Sequence, residues 1–315
     1  MRVAFAGTPD FAVAVLEALV QAGHEVTWAA TQPDRPAGRG LVLQPPPVKL
    51  RAQELGVAVW QPQRPSEDEW IQRLRDAGAQ ALVVAAYAHK IPAAVLDLPA
   101  LGCLNVHASL LPRWRGAAPI AWALLAGDRI TGVTILRMDE GWDTGPILLQ
   151  RTELIRPDDT QGTLHDRLAR LGSALLVEAL ERLSRGTLRP VPQDPALATP
   201  APRLHKEQGR LDWGEPAWVL ARKVRAFHPW PGAYTLLGER AVKVLQASWV
   251  QDPGGAPPGT VVAVDPARQA LGVGCGQGIL FLERVQVEGG RPMSGTDLAN
   301  GYRLRPGSRF AGATP

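Results

Sequence analysis

Through its first half the chain alternates short apolar runs with stretches of helical periodicity, and this alternation is what most restricts its fold. Apolar runs at residues 3–6, 26–30, 57–60, 81–86, 103–107 and 132–138 read as strands. Between the first two, Thr8 and Pro9 suggest an N-cap followed by proline at the first helical position. Phe11, Val15, Leu16 and Leu19 then recur at helical spacing, and Gly23 supplies a stop. A second helix is expected over 47–55. Ser66 and Glu69 have the spacing of a capping box that opens a third, and a long helix over 161–184 can end at Gly186. Residues 81–86 are almost wholly apolar, as a strand covered on both faces should be. The pattern predicts an α/β fold, a doubly wound and mostly parallel sheet.

The texture changes at residues 189–202, RPVPQDPALATPAP, which lack periodicity and read as a stiff proline-rich connector. Beyond it, β-like runs at 242–245, 260–264 and 279–282 are separated by glycine- and proline-rich turns. They predict a smaller β-barrel of the OB-like kind. The expected organisation is a domain over 1–188 with an insertion at 31–50, a linker over 189–205, and a barrel over 206–315. With 315 residues and 45% apolar content the chain can build a sizeable core. No apolar run reaches the roughly 18 residues of a membrane span. Asp10 interrupts the start where an export signal would continue apolar. The two cysteines, Cys103 and Cys275, stand far apart in no metal-like spacing, which fits a reducing cytoplasm and neither a disulfide nor a zinc site. A net charge of +4 is compatible with nucleic acid without being diagnostic.

Asn105 and His107 lie two apart on an expected strand, so their side chains share a face near its C-terminal end, where open α/β sheets place ligands. Taken alone, such a histidine is more often a hydrogen-bonded packing residue. The next strand runs into Asp139-Glu140-Gly141-Trp142-Asp143-Thr144-Gly145. A carboxylate in that loop can reach the neighbouring strand end and serve as acid or base. An Asx-type turn is the commoner role for such a residue, and Asp139 and Glu140 compete with Asp143. Gly7 is the only glycine where a dinucleotide fold shows G-x-G-x-x-G, so a nicotinamide or flavin cofactor is disfavoured. The stretch 31–50 is long for a connection in an α/β unit and carries Arg35, Arg39 and Lys49 against Asp34. It is either a binding loop or a disordered excursion. Residues 203–243 hold an excess of basic side chains interleaved with Trp213, Trp218 and Trp230. That composition suits RNA and equally suits a solvated face over a tryptophan core.

Two segments, NVHASLLPRWRGAAPI at 105–120 and MDEGWDTG at 138–145, resemble the core and the catalytic aspartate loop of folate-dependent formyltransferases. AGTPDFA at 6–12, TQPDRPAGRG at 31–40, KEQGRLDW at 206–213 and AFHPWPGAY at 226–234 resemble the members acting on methionyl-tRNA. Separately from this resemblance, a monomer is expected, although the sequence itself does not give the oligomeric state. The resemblance implies a Rossmann-like formyltransferase domain and a barrel-like tRNA-binding domain. It implies transfer of the formyl group of 10-formyltetrahydrofolate to the amino group of methionyl-initiator-tRNA, without a metal. It assigns catalysis to Asn105, His107 and Asp143, folate contacts to Ser109, Leu110, Leu111 and Pro112, and tRNA contacts to Arg39 and Lys206. Ala88, His89, Lys90 and Trp142 depart from the family pattern beside the implied folate pocket.

Overall fold

The computed structural model describes residues 1–37, 42–87, 89–252 and 255–310. They form two compact units. The first comprises residues 1–119, 130–154 and 165–202, and the second residues 120–129, 155–164 and 203–315.

The first unit is built on a seven-stranded sheet. In chain order its strands are β1 (Arg2–Gly7), β2 (Glu25–Ala30), β5 (Val59–Trp60), β6 (Ala81–Ala85), β7 (Cys103–His107), β8 (Ile130–Arg137) and β9 (Ile147–Leu154). β3 (Arg35–Ala37) and β4 (Val42–Gln44) pair with each other outside it. The spatial order is β5-β2-β1-β6-β7-β8-β9. Pairings from β5 to β7 are parallel; β8 and β9 are antiparallel. The order reverses direction at β1 and β6, the switch point of a doubly wound sheet. β6 is buried at every position, as its unbroken apolar run requires. The antiparallel β9 escapes the apolar pattern because much of it is exposed at the sheet edge.

The helices of the first half follow their sequence signals closely. α1 (Asp10–Gln21) buries Phe11, Ala12, Val15, Leu16 and Leu19. Its N-cap is Pro9 rather than Thr8, whose hydroxyl is buried with no hydrogen-bond partner among the described residues. α2 spans Pro47–Glu54. α3 (Glu67–Ala77) opens with the expected capping box: Ser66 Oγ accepts from the Glu69 N–H, and Glu69 accepts from the Ser66 N–H. The four-residue α4 spans Ala93–Leu96, and α5 spans Pro119–Ala126. α6 runs Gln161–Ser184, with Gly186 at φ +65° after it. Gly7 has a packing role: a Cβ there would lie 2.5 Å from Ala12 Cβ and 2.8 Å from the Ala85 carbonyl. That explains one glycine at this turn without a phosphate.

The second unit contains α7 (Ala217–Ala226) and an antiparallel sheet of β10 (Ala233–Leu237), β11 (Arg240–Val250), β12 (Val261–Asp265), β13 (Ala270–Gly274), β14 (Ile279–Val287) and β15 (Met293–Ser294), followed by α8 (Gly295–Tyr302). The long β11–β14 pairing shifts register at Val244/Gln246 and at Gln246/Ala247, irregularities that bend a sheet. Trp213 is fully buried and its indole N–H donates to Thr235 Oγ1 at 3.1 Å, so this tryptophan is core. Trp230 and Trp249 are each 45% exposed.

Cys103 and Cys275 are buried, and burial pushes each thiol up to about 12. Since the thiolate is the reactive form, neither should react with a disulfide reagent at pH 8 in the native protein. Both should react in denaturant; native labelling of either would contradict this packing.

Candidate active site

β7 and β8 pair antiparallel, setting Asn105 opposite Leu136 and His107 opposite Thr134. Period two puts Asn105 and His107 on one face. Asp143 arrives from the loop between β8 and β9 and holds a left-handed backbone, φ +56°. For a non-glycine residue this costs on the order of 1–3 kcal/mol, and aspartate is among the side chains that tolerate it best.

The three side chains meet. Asn105 Nδ2 donates to Asp143 Oδ1 at 3.0 Å, and the Gly116 N–H donates to Asp143 Oδ2 at 2.9 Å. His107 Nδ1 lies 3.5 Å from Asp143 Oδ1. On the other side of the ring, His107 Nε2 stands 2.9 Å from the Trp114 carbonyl. A carbonyl only accepts, so Nε2 carries a hydrogen, and Nδ1 is the ring nitrogen that faces the carboxylate. His107 is 5% exposed. Its Nε2 is hydrogen-bonded to the Trp114 carbonyl and its Nδ1 faces the Asp143 carboxylate.

The acidic loop sorts its carboxylates by position. Asp139 Oδ1 accepts from the Gly141 N–H at 3.0 Å and from Thr144 Oγ1 at 2.6 Å. Asp139 is the Asx-type turn residue, and Glu140 is exposed. Asp143 alone of the three meets Asn105 and His107.

The segment 109–112 is divided in its exposure. Ser109 is fully buried, and its hydroxyl donates to the Arg113 carbonyl at 2.6 Å. Leu111 is 3% exposed. Only Leu110 and Pro112 present partly exposed side chains. Thr134 braces the segment: its Oγ1 donates to the Ser109 carbonyl at 2.7 Å and accepts from the Leu111 N–H at 3.0 Å. Gln150 Nε2 donates to the same hydroxyl and to the Leu111 carbonyl. Thr134→Val would strand these buried partners, so it should destabilise by about 1–3 kcal/mol. A lower urea midpoint is the expected result; an unchanged midpoint would deny the brace a structural role.

Near the C-terminal end of β6, the Tyr87 hydroxyl and His89 Nε2 are buried with no hydrogen-bond partner among the described residues. Burial pushes the Tyr87 phenol up to about 12. Trp142, beside Asp143, is 63% exposed. Arg39 lies outside the described residues, and Lys206, in the second unit, is exposed. The insertion 31–50 contains the β3–β4 hairpin, with Val42 and Leu43 largely exposed. At its root Asp34 accepts from Lys49 Nζ at 2.7 Å and from Gln61 Nε2 at 2.7 Å. The Gln61 and Lys49 hydrogen bonds hold the Asp34 carboxyl below its ordinary range. Lys49 is thus matched by Asp34. In the second unit, Arg225 donates to the Asp159 carbonyl and Lys223 to Glu215, so part of the basic excess is structural.

Three polar side chains gathered at the C-terminal edge of a doubly wound sheet, with an antiparallel sheet in a second unit, define a class that the comparisons name. The chain belongs to the formyl transferase family: the Formyl transferase description matches residues 1–180, and the Formyl transferase C-terminal domain description matches residues 203–303. More particularly, it is 48% identical to the methionyl-tRNA formyltransferase of Marinobacter nauticus over 312 residues, 98% of this chain and 100% of that one. It is 51% identical to the methionyl-tRNA formyltransferase of Thiobacillus denitrificans over 311 residues, 98% of this chain and 99% of that one. Among solved structures, HypX from Aquifex aeolicus in complex with tetrahydrofolic acid shares the fold at TM-score 0.65 and 20% identity. That likeness covers 96% of this chain and 47% of HypX, so this chain spans about half of HypX's length. The N-formyltransferase from Helicobacter canadensis, in complex with folinic acid and dTDP-3-aminofucose, shares it at TM-score 0.62 and 15% identity, over 89% and 98% of the two chains.

The supports of the trio were not visible from the sequence. Trp114, Gly116, Thr134 and Gln150 contribute carbonyls, an N–H or a distant side chain, and no residue pattern advertises those roles. The proline-rich stretch is the largest difference from expectation. Within the first unit, residues 191–201 bond to the site loops instead of standing clear as a connector.

Proposed function

We propose that this protein transfers the formyl group of 10-formyltetrahydrofolate to the free amino group of methionyl-initiator-tRNA, giving N-formylmethionyl-tRNA for translation initiation. The observation that carries the reading is the joined Asn105–Asp143–His107 cluster in a chain about half identical, end to end, to methionyl-tRNA formyltransferases. The folate donor is a substrate. The Tyr87 hydroxyl and His89 Nε2, which find no hydrogen-bond partner among the described residues, fit with the partly exposed Leu110 and Pro112 the polar rim and flat apolar face of a pterin. Among the described residues no group of His, Cys, Asp and Glu side chains is arranged to hold a metal ion. Among them, too, no helix is long and apolar enough to cross a membrane. Two buried free thiols suit a cytoplasmic enzyme.

The chemistry follows from the donors and acceptors in place. The methionyl amine must be neutral to attack the formyl carbon, and negative charge then grows on the formyl oxygen. Asn105 Nδ2 bears two hydrogens, one committed to Asp143 and the other free to meet that oxygen. The amine nitrogen becomes acidic as it bonds to carbon. The Asp143 carboxylate accepts its proton, directly or through a water, and the proton is returned to N10 of the folate as the C–N10 bond breaks. One N–H is lost at the amine and one is gained at N10, so the step balances. His107 Nδ1 faces the carboxylate at 3.5 Å, where a hydrogen on Nδ1 would stabilise the anion and a bare Nδ1 would accept from the carboxylic acid. The exposed Lys206, the hairpin of the insertion and Arg39 are the proposed contacts for the tRNA.

The test is direct. Incubated with 10-formyltetrahydrofolate and charged initiator tRNA, the protein should yield formyl-methionyl-tRNA. Formylation of a nucleotide-linked amino sugar, with charged tRNA left untouched, would overturn the assignment of acceptor.

A further inference from the structure

We infer that Gln193 is a positioning residue for formyl transfer, holding the Asp143 loop through two backbone carbonyls while anchoring Arg115; this rests on the formyl-transfer reading above. Its Nε2 donates to the Asp143 carbonyl at 2.8 Å and to the Gly145 carbonyl at 2.7 Å. Its Oε1 accepts from Arg115 Nε at 3.1 Å and Nη2 at 2.8 Å. All the hydrogen-bonding capacity of one amide is thus directed at the two loops that build the site. Asp143 needs such support because its left-handed backbone is unfavourable. Its carboxylate is held from one side by Asn105 and Gly116, and its own carbonyl is held from the other by Gln193.

The same strap reaches the other supports. The Trp114 N–H donates to Thr199 Oγ1 at 2.9 Å, and the Arg115 N–H donates to the Thr199 carbonyl at 2.8 Å. The Ala201 N–H donates to the Arg115 carbonyl at 2.7 Å, and the Ala118 N–H donates to the Ala201 carbonyl at 3.1 Å. Gly116, at φ +120°, leaves no room for a Cβ, which would lie 2.8 Å from the Ala201 carbonyl. Trp114 is the partner of His107, and Gly116 is the partner of Asp143. Residues 193–201 therefore hold each outer partner of the trio in register, and the Gln193 side chain bonds directly to the Asp143 loop.

Gln193→Ala should lower kcat by about 10–100-fold, the size expected when a reacting group shifts by about an ångström. KM for either substrate should stay within about twofold, since no substrate contact is removed. Gln193→Glu separates two roles. It keeps an acceptor for Arg115 but sets oxygen against the Asp143 and Gly145 carbonyls, so it should be at least as slow as the alanine variant. A fast Gln193→Glu enzyme would show that Arg115 alone matters and would overturn the inference. In an Asp143→Asn background, Gln193→Ala should cost less than about twofold more, because a residue acting through Asp143 has nothing left to position. Full multiplication of the two effects would equally overturn it. A readout independent of activity is hydrogen exchange at the Gly116 amide, which donates to Asp143. Gln193→Ala should speed it, and unchanged exchange would deny the support even if the acceptor assignment itself proved wrong.

Discussion

Asp143→Asn should reduce single-turnover formyl transfer by about 10²–10⁴-fold, the usual span for a lost acid–base group. Binding of both substrates should change little. Asparagine is the informative replacement because it adopts the left-handed backbone that Asp143 occupies, so the loop keeps its path. The charge and two acceptor oxygens do not survive. Asn105 Nδ2 and the Gly116 N–H both donate to the carboxylate, one to each oxygen. An amide offers only one oxygen, so in either orientation an N–H faces an NH2 group. The ring nitrogen His107 Nδ1 also loses its anionic neighbour at 3.5 Å. A melting temperature near that of the parent, together with the loss of rate, would place the effect in the chemistry. Wild-type single-turnover rates would remove Asp143 from the proton path and leave it a loop-shaping residue.

How much of this could be read from residues alone depended on how local each cause is. The strand–helix alternation, the Ser66 capping box and the full length of α6 were legible because each is set by neighbours within about a turn. β9 was not, since an exposed edge strand carries little apolar periodicity. The β3–β4 pairing was hidden because strands of three residues are too short to carry a period. In the site, Asn105 and His107 stood out through strand period, but choosing Asp143 over Asp139 and Glu140 needed the family resemblance. Spacing could not separate a turn aspartate from a reacting one; the hydrogen bonds of Asp139 do. Ser109 and Leu111 show the converse. The resemblance marks the segment as folate-contacting, while burial limits their part to backbone and shape. The proline-rich stretch misled for a related reason. Proline signals stiffness, and only the tertiary fold tells whether a stiff strand of chain spans a gap or lies along a site.

The same geometry orders the effects of the other two members of the trio. Asn105→Ala should lower kcat by about 10²–10³-fold, the usual effect of one lost oxyanion donor. Two losses coincide: the hydrogen available to the formyl oxygen and the one held by Asp143 Oδ1. His107→Ala should cost less than Asn105→Ala, because His107 is 5% exposed and reaches the reaction through the carboxylate. It also removes the His107 ring from its hydrogen bond with the Trp114 carbonyl, so some of its cost should appear as a lower unfolding midpoint. Asn105 and His107 both bear on Asp143 Oδ1, so the double variant should lose less than the product of the single losses. The cycle is read from single-turnover rates at saturating folate donor and charged tRNA, which removes binding from the comparison. Clean multiplication would mean that the two side chains serve separate steps. A His107→Ala loss exceeding that of Asn105→Ala would mean that the imidazole meets the substrate itself, after a rearrangement that turns Nδ1 or Nε2 away from its present partner.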